Sequence, residues 1–222
     1  MLRRPEPELM LDADQAVAYA EADFSESDAR FVQRFRELFD LPLGGEIIDL
    51  GCGPGNIALR FADAFPGCAI TAVDGSAAML EISRRRAAQL PDVARRMRFL
   101  EAILPSAVLP MHKATAVVSN SLLHHLHDPS VLWQTLEQVA APAAAVLVAD
   151  LRRPDSTAEA QHIVDTYAAD APRILREDFY NSLLAAFEVD EVKRQLRAAS
   201  LGHLQVRAVG DRHLEVFGRM PD

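Results

Sequence analysis

Three short stretches of this 222-residue chain hold residue types and spacings that could do chemistry. The first is Asp49-Leu-Gly51-Cys52-Gly53-Pro-Gly55, part of a run in which five of the ten glycines (Gly44, Gly45, Gly51, Gly53, Gly55) fall within twelve residues. Glycine has no Cβ, so such a loop lets backbone N–H groups and a helix N-terminus come close to a ligand. Asp74 follows 19 residues after Gly55, where a carboxylate can accept both hydroxyl protons of a ribose. The second stretch is His124, His125 and His127 followed by Asp128. Imidazoles there could move a proton, and His124 with His127 on one helical face could hold a metal. No further Cys, His or acid stands at a recognised ligand spacing, so no metal is expected. The third is Asp150 with Arg152 and Arg153, a carboxylate that could polarise a substrate beside cations that could meet an anionic group.

The elements that must position these residues are readable from periodicity. Residues 46–50, 69–74, 97–102, 115–120 and 144–151 are short, continuously apolar runs separated by helical patterns, which predicts a parallel sheet covered on both faces. Helices are expected over 56–65, from Ser76 as cap, and from Asp128-Pro129. In front, residues 14–39 read as two helices, the second opened by a Ser25/Asp28 capping box and carrying Phe31, Val32, Phe35, Leu38 and Phe39 as one stripe. Two helical segments over 155–188, a helix over 190–200 and a hairpin around Gly210-Asp211 complete the chain. The expected fold is α/β: a Rossmann-like, doubly wound, seven-stranded, mostly parallel sheet with a C-terminal antiparallel hairpin. It is divided into a helical arm (1–43), a ligand-binding core (44–151), a helical lid and last helix (152–202) and the hairpin (203–222), all one domain. In such a sheet the first strand–loop–helix turn is where nucleotide-like cofactors bind.

Composition narrows the partners. Net charge is −9, which argues against a duty built on nucleic-acid phosphates. Arg84, Arg85, Arg86, Arg95, Arg96 and Arg98 lack interleaved aromatics and read as a solvated face. The acids near the N-terminus do not suit a signal peptide, the longest uncharged apolar run (139–149) is too short to span a bilayer, and two cysteines offer no disulfide framework. A cytoplasmic protein, monomer or homodimer, with a small ligand and no membrane or nucleic-acid partner is expected.

The glycine spacing is G-x-G-x-G, whereas a dinucleotide fingerprint would need glycine at Asn56. The residues IIDLGCGPGNIALRFA closely resemble motif I of the class I S-adenosylmethionine-dependent methyltransferases. TAVDGSAAML resembles their second motif, and VVSNSLLHHLHDP the segment after their fourth strand. The resemblance covers residues 44–151 and looks most like the small-molecule branch typified by quinone-biosynthesis methyltransferases. It implies that Gly51, Cys52 and Gly53 face the methionine portion of S-adenosylmethionine, that Asp49 orients its amino group, and that Asp74 holds the ribose. Gly75, Ser76 and Met79 would border ribose or adenine, with Asn56 and Asn120 also beside the cofactor. Glu101-Ala102 replaces the family's Asp and small residue at the adenine, Thr115 its Asp opening strand four, and Pro142-Ala143-Ala144 its Pro-Gly-Gly.

Methyl transfer from a sulfonium is an in-line displacement in which the protein mainly aligns the nucleophile, excludes water and, where needed, takes a proton. By the resemblance His125 lies at the substrate mouth as a base and Tyr19 of the front arm closes over the site, while Asp150, at the carboxyl end of the fifth strand where such sheets bind ligands, is expected to assist. His124, Arg152 and Tyr180 of the lid are the expected substrate contacts. The rival functions are a nicotinamide oxidoreductase, an RNA or protein methyltransferase, and a protein that binds S-adenosylmethionine without catalysis.

Overall fold

The computed structural model describes residues 1–6, 19–39 and 43–222. Seven strands form one sheet: β1 (Gly45–Leu50), β2 (Cys68–Asp74), β3 (Met97–Glu101), β4 (Ala114–Asn120), β5 (Ala140–Leu151), β6 (Gln205–Val209) and β7 (His213–Arg219). Their spatial order is β3-β2-β1-β4-β5-β7-β6. β1 runs parallel to β2 and β4, β2 to β3, and β4 to β5. β7 is antiparallel to both β5 and β6. The doubly wound, mostly parallel sheet with a terminal hairpin is thus as expected. Strand order reverses between β1 and β4, and ligands of such sheets bind where the carboxyl ends part.

Helices α1 (Ser25–Leu38), α2 (Asn56–Ala64), α3 (Ala77–Ala88), α4 (Pro91–Ala94), α5 (Ser130–Val139), α6 (Thr157–Tyr167), α7 (Arg173–Ala185) and α8 (Val189–Ala198) surround it. Ile47, Ile48 and Leu50 of β1 are fully buried because both faces of the sheet are covered, which is why the strand does not alternate. On one face the apolar stripe of α1 meets α2: Phe35 lies 5.1 Å from Phe61 and 5.6 Å from Phe65, ring to ring. On the other, Leu132, Trp133 and Leu136 of α5 share a core with Val192 and Leu196 of α8. A third cluster joins Leu151 to Ala160, Ile163 and Val164 of α6 and to Leu183 and Leu184 of α7.

Three expectations are corrected. The Ser25/Asp28 capping box does not form: Phe24 is the N-cap residue, and Asp23 Oδ1 accepts the Ser25 N–H at 2.9 Å. Asp28 lies on the inward stripe with Phe31, Val32 and Phe35 and is buried, so it serves the interior rather than the helix end. The other predicted helix of the arm falls largely outside the described residues. The helix after Asp128-Pro129 starts at Ser130, with Asp128 Oδ1 accepting the Ser130 N–H at 2.9 Å. Finally, Arg84, Arg85, Arg95 and Arg98 are exposed but Arg86 and Arg96 are not. Arg96 donates to the carbonyls of Ala62, Phe65 and Cys68, groups that the end of a helix and the turn after it leave without intrahelical partners.

Candidate active site

Gly51, Gly53 and Gly55 all adopt positive φ (72°, 53° and 87°) between β1 and α2. A Cβ on Gly51 would lie 2.9 Å from the Leu122 side chain, and one on Gly55 only 2.1 Å from Ser83 Oγ. A Cβ on Gly53 would meet nothing within 4 Å. Two of the three glycines therefore serve packing, and Gly53 is the one that leaves the loop open. The N–H groups of Gly51 and Cys52 donate to Val73 O at 2.8 and 2.9 Å, so those donors lock the loop onto β2.

Asp74 holds the loop from the end of β2. Its Oδ2 accepts the Gly53 N–H and its Oδ1 the Ser76 N–H, both at 2.8 Å. Burial raises its pKa, and the backbone donors Ser76, Gly53 and Gly75 oppose the rise. Beside it Asp49 is 1% exposed with Oδ2 lacking any partner among the described residues. Burial first, and then the charge of Asp74, push Asp49 up to about 8, although the Ala58 N–H helps to hold its carboxylate. An orphaned buried carboxylate oxygen is costly unless a donor or cation meets it.

The surroundings complete this half. Ser76 caps α3 by accepting from Met79 N at 3.4 Å, and Met79 is buried. Glu101 pairs in register with Asp74, and the Ala102 N–H donates to Asp74 O at 3.0 Å, so the ends of β2 and β3 stand side by side. Asn120 ends β4 opposite Ala149. Arg86 of α3 donates to Pro54 O (3.1 Å), Asn56 Oδ1 (2.5 Å) and Ala20 O (2.5 Å), tying the glycine loop to the front arm. Tyr19 packs against Phe24, with ring centroids 5.0 Å apart and the planes tilted by 39°. Burial, and then the charges of Asp28, Asp150 and Asp74, push its hydroxyl up to about 12. Burial also raises Asp28 to about 6, against the pull of Arg60 and a hydrogen bond from Asn56.

The second half lies beyond β4 and β5. Asp150, 2% exposed, accepts from Leu123 N (2.7 Å) and Leu151 N (2.7 Å), and meets His124 Nδ1 at 2.6 Å. It thereby fixes the 3₁₀ turn Leu123–His125 to the strand end. His124 is itself 3% exposed. Burial works against a charged imidazole there, yet Asp150 and then Glu6 outweigh it and raise the His124 pKa. His125 is 27% exposed, with Nδ1 3.1 Å from Glu6 Oε1. Its charge would stabilise the Asp74 carboxylate, so the two halves of the site feel one another. His127 turns away to Glu6 O at 2.7 Å. Ligand atoms of Glu6, His124 and His125 lie within 4.8 Å of one another, a set that could hold a metal ion.

Arg153 is buried and paired with Glu188 (2.7 Å) and Glu191 (2.9 Å). Arg152 reaches the hairpin, donating to Asp211 O at 2.8 Å. Tyr180 lines a groove between α6 and α7 with Gln161, Val164, Arg173 and Arg176. Asp49, Asp74, Tyr19, His125 and Asp150 are thus brought together at the carboxyl edge, whereas Arg152 and Tyr180 stand in other surroundings. Sequence reasoning missed Glu6 and the structural roles of Asp28 and Arg86. Glu6 is 118 positions from His124, and no local pattern links them.

Among the described residues no helix is long and apolar enough to cross a membrane. Residues 47–147 match the family model described as a methyltransferase domain. The chain is 36% identical over 109 residues to an uncharacterized methyltransferase of Mycobacterium tuberculosis, covering 49% of this chain and 52% of that one. It is 35% identical over 127 residues to trans-aconitate 2-methyltransferase of Methylobacterium radiotolerans, covering 56% and 44%. The chain therefore spans about half the length of the curated relatives it matches. The crystal structure of an S-adenosylmethionine-dependent methyltransferase from Aquifex aeolicus superimposes with a TM-score of 0.67 at 16% identity, covering 95% of this chain and 99% of that one. Over residues 47–147 the chain is thus similar to a methyltransferase domain, on a fold shared with an S-adenosylmethionine-dependent methyltransferase.

Proposed function

We propose that the protein moves a methyl group from S-adenosylmethionine to a small-molecule acceptor, mainly by aligning the two and with His125 as a base. One observation carries this reading: the unpartnered Oδ2 of buried Asp49 beside Asp74, at the point where strand order reverses. The donor set fits the cofactor. Asp49 would meet its ammonium group, Asp74 its ribose hydroxyls, and the open side of Gly53 would leave room for the methionine portion. When bound, S-adenosylmethionine supplies an electrophilic methyl group on a sulfonium.

The chain's own part is to hold the loop through Asp74, to close the arm over it through Arg86, and to present His125 at the opposite wall. The −9 charge suits a cationic cofactor and disfavours a nucleic-acid acceptor. The trans-aconitate relative, named for a small carboxylic acid, supports the same acceptor class. Calorimetric titration should show S-adenosylmethionine and S-adenosylhomocysteine each binding one site. The loaded protein should then release S-adenosylhomocysteine with a member of a panel of small carboxylates, phenols and amines. Failure to bind either cofactor form, or protection from thermal unfolding by NAD(P) instead, would overturn the reading.

A further inference from the structure

The N-terminal residues 1–6 are threaded along the acceptor side of the site. Arg4 N donates to Leu184 O at 2.9 Å, and the Arg3 guanidinium donates to the carbonyls of Ala185, His124 and Leu126 while lying 3.9 Å over the Phe187 ring. These contacts pin the strap to the end of α7 and to the 3₁₀ turn, and they deliver one side chain inward. That side chain is Glu6, with Oε1 3.1 Å from His125 Nδ1, 3.6 Å from His124 Nε2 and accepting from Ser182 Oγ at 3.0 Å.

The two imidazoles differ in what remains free. His124 is buried with Nδ1 on Asp150 and Nε2 facing Glu6, so both nitrogens are committed between carboxylates. It ties Asp150 to the strap. His125 is more exposed and, among the described residues, has one nitrogen committed. An ionised carboxylate only accepts hydrogen bonds, so the nitrogen facing Glu6 carries the proton and, in the neutral ring, the other carries the lone pair. A free imidazole favours the opposite tautomer, with the proton on Nε2.

We propose that Glu6 is the positioning carboxylate of the reaction: it holds His125 as the Nδ1–H tautomer, so that Nε2 can take a proton from the methyl acceptor. The step is a proton transfer. The acceptor's O–H or N–H bond breaks, its electron pair stays on the heteroatom, and the proton forms a new N–H bond at Nε2. The resulting imidazolium is paired with Glu6. This role rests on the methyl-transfer reading and narrows it to acceptors that carry an ionisable proton on the attacking atom.

The same three residues could instead bind a metal ion. The charges already present disfavour it. The Arg3 guanidinium already lies beside Glu6 and Asp150, and His124 Nδ1 is committed to Asp150, so a dication would meet a neighbouring cation.

The test is a long-range 1H–15N correlation spectrum of histidine-labelled protein saturated with S-adenosylhomocysteine, recorded at pH 8.5, above the ordinary imidazole range. His125 should be the Nδ1–H tautomer in the wild type and in Glu6→Gln, whose carbonyl still accepts, and should shift toward Nε2–H in Glu6→Ala. S-adenosylhomocysteine affinity, measured on the same samples, should stay within about twofold across all three, since among the described residues the side chain of Glu6 meets His124, His125 and Ser182, none of them expected to hold the cofactor. An unchanged His125 tautomer in Glu6→Ala would overturn the role. So would one equivalent of zinc chloride moving the His124 and His125 nitrogen resonances together in the wild type but not in Glu6→Ala. Loss of cofactor binding by the wild type would sink the methyltransferase reading itself, an outcome that the tautomer shift cannot mimic.

Discussion

The two halves of the carboxyl edge use buried acids in opposite ways. Around Asp150 the carboxylate is matched: its two oxygens meet two backbone N–H groups and an imidazole, while Arg153 close by meets two glutamates through Nη2 and leaves its Nε donor without a partner among the described residues. Around Asp49 one carboxylate oxygen is buried with no partner among the described residues, next to a second acid whose charge raises the cost. A matched buried network fixes geometry, while an unmatched one stores a demand that a ligand can satisfy. The contrast separates a frame from a binding site without reference to any bound molecule.

Substitutions should therefore separate the halves by what they damage. Asp150→Ala should have the largest effect, about 3–5 kcal/mol of stability, because it strands a buried imidazole and two N–H groups. Thermal unfolding checks this; a melting temperature within 2 °C of wild type would break the contrast. Asp74→Ala should cost less stability but lower S-adenosylhomocysteine affinity about 10- to 150-fold, the loss of charged hydrogen bonds worth ~1.5–3 kcal/mol. Calorimetry on that variant sharpens the division if affinity and stability part company.

Asp49→Asn should go the other way in the ligand-free protein. The folded pKa of Asp49 is raised to about 8, so the folded state holds its proton more tightly than the unfolded chain. Its contribution to stability consequently falls as pH rises from the ordinary carboxylate range to about 8, and is level beyond. The variant should lack that decline and melt several degrees above wild type at pH 8, with a smaller gain at pH 5, yet bind the cofactor more weakly. Equal melting temperatures at both pH values would show that Asp49 is not strained. The smallest effect is expected at Gly53→Ala, about 1–2 kcal/mol for the positive φ alone, since its Cβ meets open space. Gly55→Ala should cost more because Ser83 fills that space.

Much of the frame was legible because it is written locally. Glu46–Leu50, Ala69–Asp74 and the glycines between them announce strand, loop and strand through period and Cβ-free positions. What escaped was long-range or inward. Asp28 looked like a cap because Ser25 stands three residues before it, but the stripe it shares with Phe31 and Phe35 turned it inside. Arg86 looked solvated as one of three consecutive arginines, and only the fold shows carbonyls of the loop and arm within its reach. Glu6 and His125 meet through the strap, which no spacing rule covers.

The unsatisfied Asp49 carboxyl is the receptor proposed for the cofactor's ammonium group, and proton counting tests that role directly. At pH 7 a group with a pKa of about 8 is mostly protonated, and an ammonium partner would require it to ionise. Calorimetric titration with S-adenosylmethionine in two buffers of different ionisation enthalpy should therefore show close to one proton released per site in the wild type and almost none in Asp49→Asn. Binding without proton release in the wild type, or the same release in both proteins, would contradict it.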